Sequence, residues 1–68
     1  MINKYKIIDQ IYNELRKKGY SYSETISWLR RRKALKGQSL YRDKKHNEIT
    51  LIKLKDILRE AKKERVIH

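Results

Sequence analysis

The stretch Leu15-Arg-Lys-Lys-Gly-Tyr-Ser-Tyr-Ser-Glu-Thr-Ile-Ser-Trp-Leu29 decides how this chain folds. Arg16, Lys17 and Lys18 put positive charge into a last helical turn, where it complements the helix dipole. Gly19 fits the left-handed C′ position that closes such a helix. That assignment makes Leu15 C3 and Tyr20 C″, the pair whose apolar contact accompanies a Schellman ending. Ser21-Tyr-Ser-Glu24 then matches a capping box, with Ser21 at N-cap and Glu24 at N3. A link this short keeps the two helices close, so the stretch predicts a helix–turn–helix corner.

Upstream, Ile8, Ile11, Tyr12 and Leu15 follow the i, i+3, i+4, i+7 spacing of one helical face, and residues 2–18 read as an amphipathic helix. Downstream, Tyr22, Ile26 and Leu29 share one face. Trp28 and Leu35 share another, so they cannot join that stripe. Either the helix ends near Arg31–Lys33 and the chain turns, or these two side chains meet a later helix or a second subunit. Trp28 reads first as a core or interface residue, and second as a stacking platform for an unpaired base. The tyrosines at 5, 12, 20 and 22 fall on apolar stripe or cap positions and read as structural.

Residues 39–51 admit two readings. Ser39 can cap a short helix from Leu40 to about His46. Alternatively, Leu40–Arg42 and Asn47–Leu51 form two strands joined by a turn, since Tyr41, Ile49 and Thr50 are β-type residues and Ile49 and Leu51 alternate. The hairpin, a small wing, is slightly favoured. Residues 50–65 read as a helix capped by Thr50. Its Leu51/Leu54/Leu58/Ala61 seam resembles a short heptad stripe and offers a homodimer contact or the completion of the monomer core. Val66, Ile67 and His68 read as a frayed tail.

One domain is expected from 68 residues, and a chain this small is marginally stable without further support. There is no cysteine to form disulfides or thiolate metal sites. The two histidines, His46 and His68, lie too far apart in sequence for a metal-ligand pair. Neither a bilayer-spanning run nor a signal-peptide core is visible, so a cytoplasmic protein is expected. No metal, cofactor or catalytic site is expected. Acids such as Asp56 and Glu60 sit three residues from Arg59 and Lys63, as helix-surface pairs do, and two glycines cannot build a phosphate loop. Charged residues reach 40%, a level that raises disorder, but the isoleucines, aromatics and helical periodicity argue for a folded chain.

Charge is distributed unevenly. Residues 30–45 carry eight basic side chains and one acid, Asp43, a net +7 out of +11 for the chain. Lysine and arginine bind phosphates by releasing condensed counterions, and arginine adds a planar fork that reads guanine in the major groove. The candidate nucleic-acid-binding residues are Arg30, Arg31, Arg32, Lys33, Lys36, Gln38, Ser39, Tyr41, Arg42, Lys44 and Lys45. Consecutive arginines on a helix diverge by about 100°, so only one or two of Arg30–Arg32 can face one groove. Gln38, Arg42 or one of these arginines would reach base edges, with the other groups on phosphates.

The Leu15–Leu29 segment resembles the entry to a helix-turn-helix in small DNA-binding proteins of phages and plasmids, with its glycine, aromatic, capping serine and short helix. Tyr41 to Leu58 is similar to the wing and following helix of excisionase-like domains. The resemblance implies a mainly α, compact three-helix domain of helix-turn-helix type with a small hairpin wing. It also implies a sequence-specific DNA binder acting in repression, excision or transfer. Duplex DNA is the favoured partner over RNA. A protein-binding inhibitor or adaptor that meets an acidic surface is the remaining alternative.

Overall fold

Asn3 starts the first helix by accepting the Lys6 amide on its side-chain oxygen, and α1 runs Lys4–Lys17. The structure, a computed structural model, describes residues 3–67. The predicted first helical residue, Ile2, and the last residue, His68, lie outside that range. Ile7, Ile8, Ile11 and Leu15 form the buried face of α1. Its C-terminus closes as the sequence predicts: Gly19 N donates to Arg16 O at 3.0 Å and Tyr20 N to Leu15 O at 3.2 Å, with Gly19 at φ 96°. This is the Schellman pattern, in which glycine carries the left-handed residue at least cost.

α2 follows at Tyr22–Arg31. Both halves of its capping box are present: Glu24 N donates to Ser21 Oγ at 3.1 Å and Ser21 N to Glu24 Oε1 at 2.9 Å. α2 then ends with the same hydrogen bonds as α1. Lys33 N donates to Arg30 O and Ala34 N to Leu29 O, both at 2.9 Å, and Lys33 takes φ 61°. The reversal drives Ala34 and Leu35 into the core. Trp28 and Leu35 are therefore buried in one chain, through both mechanisms the sequence allowed. The helix ends where expected, and the Trp28 indole reaches the far end of α4, donating to Glu64 Oε1 at 3.1 Å.

The favoured wing is replaced by a helix, α3, at Leu40–Lys45. Among the described residues there is no strand, and the domain has four helices rather than three. The physical reason lies in how the β-type residues are used. Ser39 Oγ accepts the Arg42 amide at 3.3 Å and its carbonyl accepts Asp43 N at 3.0 Å, which starts a helix. Beyond α3, the Asn47 side chain donates to the Ala34 carbonyl and accepts Ile49 N at 2.8 Å. That binds the segment to the α2–α3 loop and leaves nothing for a hairpin partner. Ile49 packs against the core, and Thr50 caps α4 by accepting Lys53 N at 3.2 Å.

α4 spans Leu51–Lys63 and packs chiefly against α1, the most extensive helix pairing in the molecule. The two run in the same direction. Lys4 Nζ meets Asn47 O just before α4, and Lys18 Nζ meets Ala61 O near its end. Leu54, Ile57 and Ala61 are buried, with Leu51 and Leu58 partly so. The proposed dimer seam therefore completes the monomer's own core, because α1 covers it. The tail is not loose up to Ile67, whose amide donates to Lys18 O at 2.7 Å. The radius of gyration, 10.9 Å, is that of a folded chain of this length, despite the charge content. No helix among the described residues is long and apolar enough to cross a membrane.

Candidate nucleic-acid interface

The three consecutive arginines part company at the end of α2. Arg30 and Arg31 stand exposed on the helix, whereas Arg32, its C-cap, turns back toward α4. The Arg32 guanidinium carbon lies 3.7 Å from the centre of the Trp28 ring. Its Nε donates to Glu60 Oε2 at 2.8 Å, and its terminal nitrogen lies 3.6 Å from Glu64 Oε1. A cation over an indole with two carboxylates beside it is well compensated. Arg32 belongs to the core's outer wall and is not brought together with the other candidate residues.

Glu64 is the centre of that wall. It accepts the Tyr20 hydroxyl at 2.8 Å on one oxygen and the Trp28 indole on the other. The Tyr20 and Trp28 hydrogen bonds hold its carboxyl below the usual range, against the opposing effect of burial, and the nearby Arg32 and Lys18 charges add to the shift. The Tyr20 hydroxyl is correspondingly raised, first by its hydrogen bond to Glu64.

On the other side of α2 lies a shallow trough made of three adjoining depressions. The first runs between Tyr22, Ser23, Ser27 and Arg30 of α2 and Gln38 of the following loop. The second shares Ser27 and Arg30 and adds Arg31 and Lys36. The third shares Lys36 and Gln38 and continues past Ser39 to Arg42 of α3. The sequence candidates Arg30, Arg31, Lys36, Gln38, Ser39 and Arg42 are thus brought together, and Lys33, exposed just past the end of α2, adjoins them in sequence but lines none of the three depressions. Tyr22 fixes one wall, since its hydroxyl accepts the Leu40 amide at 3.2 Å and ties the starts of α2 and α3 together. At the other end an added Cβ on Gly37 would lie 2.6 Å from Asp43 Oδ2, so glycine lets the loop lie against that carboxylate.

Tyr41, Lys44 and Lys45 lie elsewhere, with Tyr5 at the start of α1. Lys44 is paired with Asp9 at 3.0 Å. Lys36 meets Glu48 at 3.2 Å, but both are well exposed, and such a pair contributes little and exchanges freely. Arg30, Arg31, Lys33, Arg42 and Lys45 have no carboxylate partner among the described residues. Sequence reasoning missed Ser23 and Ser27. The signal was available, because positions 23, 27 and 30 stand at i, i+4 and i+7 on one helical face.

Among the described residues the trough shows no paired nucleophile and base. What it offers is fixed hydroxyl and amide groups among cations. No protein family, curated protein or solved structure matches the chain.

Proposed function

We propose that this protein binds duplex DNA through the trough along α2, the following loop and the start of α3. The observation that carries the reading is the concentration of Arg30, Arg31, Lys36 and Arg42 on one surface, with the exposed Lys33 adjoining them in sequence, where among the described residues the only carboxylate pairing of these cations is the exposed Lys36–Glu48 contact. Five such cations attract a polyanion wherever phosphates can follow the surface. The α2 stripe of Ser23, Ser27 and Arg30 presents hydrogen-bonding groups on a helix, the element that fits a major groove. Arg30 and Gln38 are suited to base edges. Arg31, Lys33, Lys36 and Arg42 flank them and are suited to phosphate. The resemblance to small phage and plasmid DNA-binding proteins supplies the role: a regulator or accessory factor in repression, excision or transfer.

A salt titration of binding tests this reading. With four phosphate contacts, from Arg31, Lys33, Lys36 and Arg42, log K should fall against log salt with a slope of about −3.6. The double variant Arg30→Ala/Arg31→Ala should make the slope shallower by about 1, through Arg31, and relax sequence preference, through Arg30, while leaving the melting temperature in place. A wild-type slope shallower than about −2 would remove the electrostatic basis. A clear preference for structured RNA over duplex DNA would transfer the surface to RNA. An acidic protein that binds while nucleic acid does not would make the trough a protein contact.

A further inference from the structure

The end of α3 lies beside the first turn of α1, and the seam between them opens as a cleft of about 300 Å³ lined by Tyr5, Tyr41, Lys44 and Lys45. Tyr41 is 75% exposed and Tyr5 43%. Neither ring is part of the buried core, although large aromatics usually dominate burial in a small domain. The Tyr5 hydroxyl donates to the Lys45 carbonyl at 3.0 Å, which fixes its ring at the end of α3. Lys44 holds Asp9 at 3.0 and 3.2 Å, so it gives the cleft its methylene stem more than its charge. The Lys45 ammonium has no carboxylate partner among the described residues.

We infer that this cleft is a stacking slot for one unpaired nucleobase of a phosphodiester strand, with Lys45 on the adjoining phosphate. Two exposed rings and a lysine stem suit a flat ligand with a π-face, and an unpaired cation at the rim suits an anion attached to it. Position favours the same occupant. Tyr41 adjoins Arg42 of the trough in sequence, so one short helix, α3, carries a residue of each site. The inference rests on the proposed function in requiring a nucleic acid. It differs in asking for an unpaired base, which an uninterrupted duplex does not present.

The test compares the full chain with Tyr41→Ala and Tyr41→Trp in gel-shift titrations. The probes are single-stranded DNA and single-stranded RNA of about 12 nucleotides, and the duplex of the same sequence. Tyr41→Ala should weaken single-strand binding about tenfold, Tyr41→Trp should restore it, and duplex affinity should change by less than about twofold. Melting curves of both variants should match the wild type, since the ring lies outside the core. The two single-stranded arms identify the sugar. Unchanged single-strand affinity in Tyr41→Ala, or an equal loss on duplex, overturns the slot. A wild type that binds duplex and no single strand also overturns the slot and leaves the duplex reading standing. A Tyr41 effect on single strands without salt-dependent duplex binding does the reverse. Failure to bind any of the three probes removes both.

Discussion

Arg32 and its neighbours Arg30 and Arg31 share a helix end and a residue type, yet they face opposite surroundings. Arg32 lies on Trp28 between Glu60 and Glu64, and its charge is answered within the fold. Arg30 and Arg31 face the trough with no carboxylate partner among the described residues. The contrast teaches that a basic run does not act as one block. The helix turn, about 100° per residue, divides it into a part that serves stability and a part that remains available to a ligand. The two helix ends repeat the lesson. α1 closes on Gly19, and α2 closes with the same hydrogen bonds on Lys33, an L-residue held at φ 61°. At the second site a side chain is retained where glycine would cost less.

The strongest way to break this division is Trp28→Ala. It removes a buried ring, the platform under Arg32 and a donor to Glu64 together. A large-to-small change of this kind costs about 3–5 kcal/mol, which is much of the stability available to a small domain. Urea denaturation should show the variant largely unfolded or with a sharply lowered midpoint. A near-wild-type midpoint would mean that Arg32 and Trp28 are not the buttress described.

Lys33→Gly sharpens the comparison at smaller scale. Relief of the left-handed backbone should raise stability by about 1 kcal/mol, read as a higher melting temperature. The same change should make the duplex salt slope shallower by about 1. Opposite signs for stability and binding in one variant are the outcome that the contrast between Gly19 and Lys33 requires. A lower melting temperature would show that the Lys33 side chain supports the fold.

The smallest effect concerns pH. The Glu64 carboxyl is depressed below its ordinary value of 4.5 in the folded chain, so its stabilisation is complete above that value and is lost as pH falls through the folded pKa. Tyr20 is raised above 10.0, so its share is present below 10.0 and declines as the hydroxyl ionises. The stability advantage of the wild type over Glu64→Gln should be greatest above the ordinary carboxyl range and should disappear once the pH has fallen through the depressed folded pKa of Glu64. Thermal melts of the two proteins across that interval read it directly. An advantage that persists in acid would assign the effect to shape instead of charge.

Local chemistry made the helix ends legible. Gly19, the Ser21/Glu24 box and Thr50 each act within four residues, and all three appear where the sequence places them. The hairpin expectation failed because the decision at 39–51 is tertiary. Asn47 bonds to Ala34, 13 positions away, and β-type residues serve there as a cap and a core contact. The charge concentration was readable, as was the need for the arginines to diverge. Which arginine turned inward was not, because that depends on Trp28 and Glu64 meeting across the molecule. The serines on α2 could have been read from their spacing alone.

The stacked position of Trp28, the chain's only tryptophan, has a practical consequence. Its emission reports on a site sealed by Arg32 and Glu64, away from both the trough and the tyrosine cleft. Intrinsic fluorescence should therefore follow unfolding closely and remain almost silent when a ligand docks. A quiet spectrum during a titration should not be mistaken for an empty surface.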